Sequence, residues 1–245
     1  MTCLEVKRFR DLIWCCENLS WRHEVFRDRV DAGTLLAGFT RRILGSFRGV
    51  VVGLAAGGIP VACSMARELG VEFDLVVIKK ITFPWTTEAG FGAVALDGTL
   101  YYDARVAREI GYSSRDVERI ASSVREYVIN RTLRLRGDTD YSNLRGREVI
   151  LVDDGIATGY TMIVAIRFLR SRGVSRVIVA TPTSSLDGAL RVSRENVEIL
   201  ILNLRDEPFY AVAEAYREWH DVEDEEALNF IKMCRDADRQ PLSNL

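Results

Sequence analysis

A doubly wound, mainly parallel α/β sheet flanked by helices is the fold this 245-residue chain predicts. Three strand-like runs carry the prediction: Val50 to Leu54 reads as a buried strand, Phe73 to Ile78 as the next strand and Val149 to Val152 as a strand buried on both faces. The first and third run into a glycine turn and then an amphipathic helix, and two further strand-helix alternations follow before residue 203. Right-handed crossovers between such units leave the ligand site at the carboxyl ends of the strands.

In chain order, Leu4, Leu12, Ile13, Cys16 and Leu19 recur at loosely helical spacing and predict a helical extension over residues 1–24. A second amphipathic helix is expected from Val25 to Leu44. The strand Val50 to Leu54 is followed by Gly57-Gly58 and a helix from Ile59 to Leu69, with Pro60 in its first turn, where a missing N–H costs little. The next strand, from Phe73, ends in Lys79-Lys80. About twenty residues of weak periodicity follow, from Ile81 to Leu100, and a connection of that length in a compact domain is functional or mobile. Residues 103–135 read as two helices joined at Gly111, the second opened by a capping box from Ser113 to Asp116. After the strand at 149–152, Met162, Ile163, Ile166 and Leu169 mark a helix that Gly173 stops. Strands at Arg176 to Ala180 and Val197 to Leu202 flank a helix around Asp187 to Ser193, and an aromatic-rich tail follows.

The turn between the central strand and its helix has the most specific chemistry. Asp153 and Asp154 precede Gly155, Ile156, Ala157, Thr158, Gly159, Tyr160 and Thr161. Free N–H groups and the positive end of a helix dipole hold a phosphate there, the glycines let the backbone wrap it, and the threonines offer hydroxyl donors. The carboxylates repel a phosphate but accept hydrogen bonds from vicinal hydroxyls or hold water around Mg²⁺. A phosphate cradle beside a diol clamp suits a phosphorylated ribose. No Lys-Ser/Thr follows the second glycine, so the loop is not a Walker A motif.

Residues 149–161 resemble the 5-phosphoribosyl-1-pyrophosphate (PRPP) signature of the type I phosphoribosyltransferases, and Phe26-Arg27-Asp28-Arg29 resembles the opening of a bacterial and archaeal subfamily. The resemblance implies a phosphoribosyltransferase core over residues 25–205, a C-terminal hood over 206–245, transfer from PRPP to a base with Mg²⁺ as cofactor, and a homodimer. Gly57 and Gly58 then stand where the family binds pyrophosphate, although the subfamily's Pro-Arg is here Ala55-Ala56. Lys80 and Glu88 match subfamily positions and are the candidate catalytic residues: Lys80 as a pyrophosphate contact with Lys79 on the solvated face, Glu88 as either a general base or a loop carboxylate. Substrate binding falls to Gly57, Gly58, Lys80 and residues 153–161, with Asp153 and Asp154 as indirect metal ligands. Ala157 stands where some purine enzymes place an Asp, so that general base is missing. Phe209 is a candidate stacking platform for the base. A PRPP- or nucleotide-binding regulator without catalysis is the alternative.

Composition narrows the partners. A formal net charge of −2 gives no footprint for nucleic acid. No apolar run approaches about eighteen residues, and charges interrupt Met1 to Leu19, so neither a membrane span nor a signal peptide is expected and a cytoplasmic location is. Cys3, Cys15, Cys16, Cys63 and Cys234 lack metal-ligand spacing and read as free thiols or small core residues.

Overall fold

A computed structural model describes residues 3–86 and 89–238. Nine strands form one sheet: β1 (Val6–Arg10), β2 (Ile13–Cys16), β3 (Val50–Ala55), β4 (Glu72–Thr82), β5 (Gly90–Ala95), β6 (Leu100–Tyr102), β7 (Glu148–Val152), β8 (Arg176–Ser185) and β9 (Glu198–Arg205), in the order β1-β2-β9-β8-β7-β3-β4-β5-β6. The run from β2 through β9, β8, β7 and β3 to β4 is parallel. The β1/β2, β4/β5 and β5/β6 pairs are antiparallel. The helices are α1 (Arg29–Leu44), α2 (Gly58–Leu69), α3 (Ala104–Glu109), α4 (Ser114–Arg136), α5 (Tyr160–Ser171), α6 (Leu186–Ser193) and α7 (Asp224–Asp238). Val50 to Val52, Val149 to Val152 and Ile199 to Leu202 are fully buried, as a sheet covered on both faces requires.

The crossover from β3 through α2 moves one way along the sheet and that from β7 through α5 moves the other. Right-handed connections therefore put α2 and α5 on opposite faces, and the loops after β3 and β7 part at a topological switch point.

Several expectations are corrected. The N-terminal segment is a β-hairpin, not a helix. Its β2 pairs in parallel with β9 and closes an edge that would otherwise be bare, so the demand of the sheet overrides the weak helical spacing. The helix expected from Val25 starts at Arg29, where the Asp28 side chain accepts from the Asp31 amide; Phe26 instead bridges to Tyr216. Much of the aperiodic stretch from Ile81 is the antiparallel hairpin of β4 and β5, since its glycines lie against neighbouring backbone: a Cβ on Gly92 would press on β6 at Tyr102. β8 runs on to Ser185 through Pro182, which is tolerated because its register with β7 ends at Ala180 and Pro182 itself falls outside it. The cysteines differ most from expectation. Cys3 is bonded to Cys16 and Cys63 to Cys234, leaving Cys15 as a buried free thiol. Spacing alone could not show this, because each pair meets through tertiary packing: Cys3 folds back against the hairpin, and α7 lies along α2. The capped helix from Ser113 is found as expected, with both halves of its capping box formed.

Candidate active site

The turn after β7 is pinned in the middle and open at its end. Ile156 is buried and bridges to β8, its amide donating to the Thr183 carbonyl at 3.0 Å and its carbonyl accepting from the Ser185 amide at 2.9 Å. The Ala157 carbonyl accepts from Ser185 Oγ at 2.6 Å, and the Thr158 carbonyl accepts from Arg191. Gly159 has φ 80°, a left-handed conformation, and a Cβ there would lie 2.9 Å from Val192 Cγ2. No side chain caps α5, whose first amides therefore face the turn with the helix dipole behind them. Thr158 is exposed and Thr161 half-buried. Tyr160 is buried, with its hydroxyl 3.5 Å from Asp103 Oδ2 and Arg191 over its ring, so its side chain packs the helix start and only its backbone belongs to the turn.

The loop after β3 lies against this turn. The Ala55-Ala56 peptide is cis, and α2 begins at Gly58 with no side-chain cap. A Cβ on Gly57 would collide with the Asp154 carboxylate, and one on Gly58 would lie 2.7 Å from the Val152 carbonyl and 2.9 Å from Asp153 Cα. Two uncapped helix starts thus flank one carboxylate pair.

The two carboxylates have different surroundings. Asp154 accepts from Arg29 Nε at 2.9 Å; Arg29 is itself buried, donates to the His220 carbonyl at 2.8 Å and stacks 3.8 Å from the centre of the Trp219 ring. Among the described residues no cation pairs with Asp153 in this way. Burial pushes its carboxyl well above the usual carboxylate range and the Asp154 charge adds to that push, while the Asp154 amide and the Lys80 ammonium oppose it. Lys80 thus acts on Asp153, whereas Lys79 lies over the Tyr127 ring at 5.0 Å, the alternation a strand imposes. Glu88 and its neighbour Thr87 lie outside the described residues.

The tail folds over the turn. Tyr216 donates to the Asp154 carbonyl at 2.6 Å, Tyr210 to Thr183 Oγ1 at 3.1 Å, and a Cβ on Gly155 would strike Val212. Phe209 is 89% exposed beside these contacts. A cavity of about 270 Å³ opens between Ala157-Thr158 and residues 205–208 with Tyr210, near the low end for small-ligand sites. Another, of about 300 Å³, lies at the opposite ends of the strands near Glu148 and Arg176, away from the uncapped helices.

Arg29 is the residue that sequence reasoning passed over. A cation in the first turn of a helix opposes the helix dipole, and that misfit was the signal of an acid brought from elsewhere.

A family model for the phosphoribosyl transferase domain matches residues 31–207, which takes in both loops and the strands that carry them. The chain belongs to the phosphoribosyl transferase family. This phosphoribosyl transferase domain is 35% identical to TT1426 from Thermus thermophilus, over 84% of this chain and 97% of that one, with a TM-score of 0.67. Two Mycobacterium tuberculosis proteins, from strains CDC 1551 / Oshkosh and ATCC 25618 / H37Rv, bear provisional phosphoribosyl transferase names and are 32% identical over 85% of this chain. The chain spans about half the length, 46%, of those curated relatives.

Proposed function

We propose that this protein transfers the phosphoribosyl group of PRPP to a ring nitrogen of a purine or pyrimidine and releases pyrophosphate. The observation that carries the reading is the meeting of two uncapped helix starts and an adjacent carboxylate pair at the switch point between β3 and β7. The α5 turn receives the 5′-phosphate, through the backbone of residues 155–161 and the Thr158 and Thr161 hydroxyls. Asp153 and Asp154 accept hydrogen bonds from the ribose hydroxyls. The Gly57 and Gly58 amides and Lys80 hold the pyrophosphate. In the transfer the C1–N bond forms as the C1–O bond to pyrophosphate breaks, the electron pair leaves with pyrophosphate, and the nitrogen's proton passes to Glu88 or to water. The chain contributes position and charge rather than a covalent intermediate.

The paired carboxylates suit Mg²⁺, which typically takes one or two carboxylates, water and substrate phosphates. Asp153 and Asp154 would hold it through water. When bound, the ion neutralises charge on the leaving group. A homodimer and a cytoplasmic location belong to the same reading. No helix among the described residues is long and apolar enough to cross a membrane. Two disulfides are compatible with an intracellular site where such bonds persist, as in the proteins of hyperthermophiles.

The test is calorimetric titration with Mg²⁺ and PRPP, then with each base, alongside pyrophosphate release. Micromolar PRPP binding that one base enhances supports the transferase through linkage of the two sites. The double substitution Asp153→Asn/Asp154→Asn is expected to abolish most of that affinity; unchanged binding would sink the diol clamp. A second reading, a PRPP- or nucleotide-binding regulator, is favoured by Ala55-Ala56, which leave the pyrophosphate loop without an Arg. PRPP binding with no response to any base would select it.

A further inference from the structure

Asp154 is held by residues outside the stretch 31–207 that the family model matches: Arg29 precedes that stretch, and Tyr216, Trp219 and His220 follow it. Tyr216 bonds the Asp154 carbonyl, and Arg29 bonds its carboxylate. Arg29 is itself fixed on two edges and a face. Its Nε donates to Asp154 Oδ2 at 2.9 Å and its Nη1 to the His220 carbonyl at 2.8 Å, while the centre of the Trp219 ring lies 3.8 Å from the guanidinium carbon. Both side chains of the ion pair are nearly buried, so water competes little for either. A planar group held in this way presents its Nε–H in one direction, and the carboxylate that accepts from it is held in turn. The outer torsion of an unanchored Asp is broad, so this anchor orders the carboxylate before any ligand arrives. Arg29 uses one of about four acceptor positions on that carboxylate, which can still accept from a sugar hydroxyl.

Resting on the phosphoribosyl transfer proposed above, we infer that Arg29 is the positioning residue of the ribose clamp: it fixes the Asp154 carboxylate for one sugar hydroxyl, and Trp219 and His220 of the tail hold it there. Ribose 5-phosphate and its 2-deoxy and 3-deoxy analogues are titrated by calorimetry into the full-length parent and into Arg29→Lys, which keeps the charge but loses the planar fork and the stacked face. The parent is expected to bind ribose 5-phosphate more tightly than at least one analogue by about tenfold or more, the scale of one hydrogen bond to a charged group. Arg29→Lys should bind the analogue that lacks the hydroxyl taken by Asp154 as the parent does, because the phosphate turn before α5 is untouched. Its preference for ribose 5-phosphate over that analogue should fall below about threefold. An Arg29→Lys protein that keeps every preference of the parent overturns the inference. So does one that binds all three sugars more weakly by a common factor, which is what a merely structural arginine would give. A parent that binds none of the three, or all three alike, instead overturns the ribose clamp of the transferase reading, and this inference falls with it. If Arg29→Lys does not fold, Trp219→Leu, which removes the ring against the guanidinium, takes its place: the same selective loss supports the inference, and an unchanged preference overturns it.

Discussion

Arg29 and Asp154 lie 125 residues apart in sequence and form a nearly buried ion pair at 2.9 Å. Removing one member of such a pair leaves the other charge stranded. Arg29→Met is therefore expected to cost roughly 3–5 kcal/mol of stability, and Arg29→Met/Asp154→Asn to recover part of it, as read by thermal denaturation of the two variants and the parent. Equal losses in the single and double variants would show that Arg29 acts through Trp219 and His220 instead. Glu207 and Glu214 give a pH signature at the same scale. Hydrogen bonds from Arg205 hold both carboxyls below their ordinary value of 4.5. A depressed folded-state pKa contributes stability above the unfolded value and loses it as pH falls through the folded one. Glu207→Gln/Glu214→Gln should thus lower Tm at pH 7, and the gap to the parent should close in melts taken progressively below pH 4.5. A gap that persists at the lowest pH would mean that packing, not charge, carries the effect. Asp153 and Asp154 were legible as a functional pair because two adjacent acids before a glycine turn have no packing purpose. Their inequality was not legible, since it comes from Arg29 and from burial.

At the scale of elements, strand-loop-helix units were readable wherever one local pattern dictated the outcome. Val149 to Val152, a short β-branched run ended by a turn, forms a buried strand, and Ser113 to Asp116 cap a helix without help from afar. Residues 6–16 failed this test because their apolar positions suit a weak helix as well as a strand, and the decision is made by the open edge of β9. Deleting residues 3–16 should expose that edge, and size-exclusion chromatography is expected to show a shift to aggregates; a monodisperse, fully folded product would mean that the hairpin is dispensable to the sheet. The turn at Gly159 was readable for a different reason. Its positive φ and its contact with Val192 both demand the glycine that the sequence supplies.

For the molecule as a whole, α7 is the element that ties the tail to the core. It lies along α2, the helix that opens at Gly58, and Cys63 is joined to Cys234 across 171 residues. In the chain-entropy account a bridge closing so long a loop contributes about 5 kcal/mol. Reduction, or Cys63→Ser/Cys234→Ser, should lower Tm strongly. Alkylation of the denatured, unreduced protein should label Cys15 and spare the other four cysteines. Labelling of all five would remove both bridges from the account.

The alternation of strands and helices, the glycine turn at 155–161 and the paired acids before it are each set by interactions within a few residues of chain: period, capping, glycine geometry. Long-range packing settles that residues 6–16 form a hairpin on β9, that Cys63 meets Cys234, and that Arg29 claims Asp154 and leaves Asp153 to burial. Those contacts join residues far apart in the chain, and their energies depend on dielectric, edge pairing and burial, which exist only once the sheet has closed.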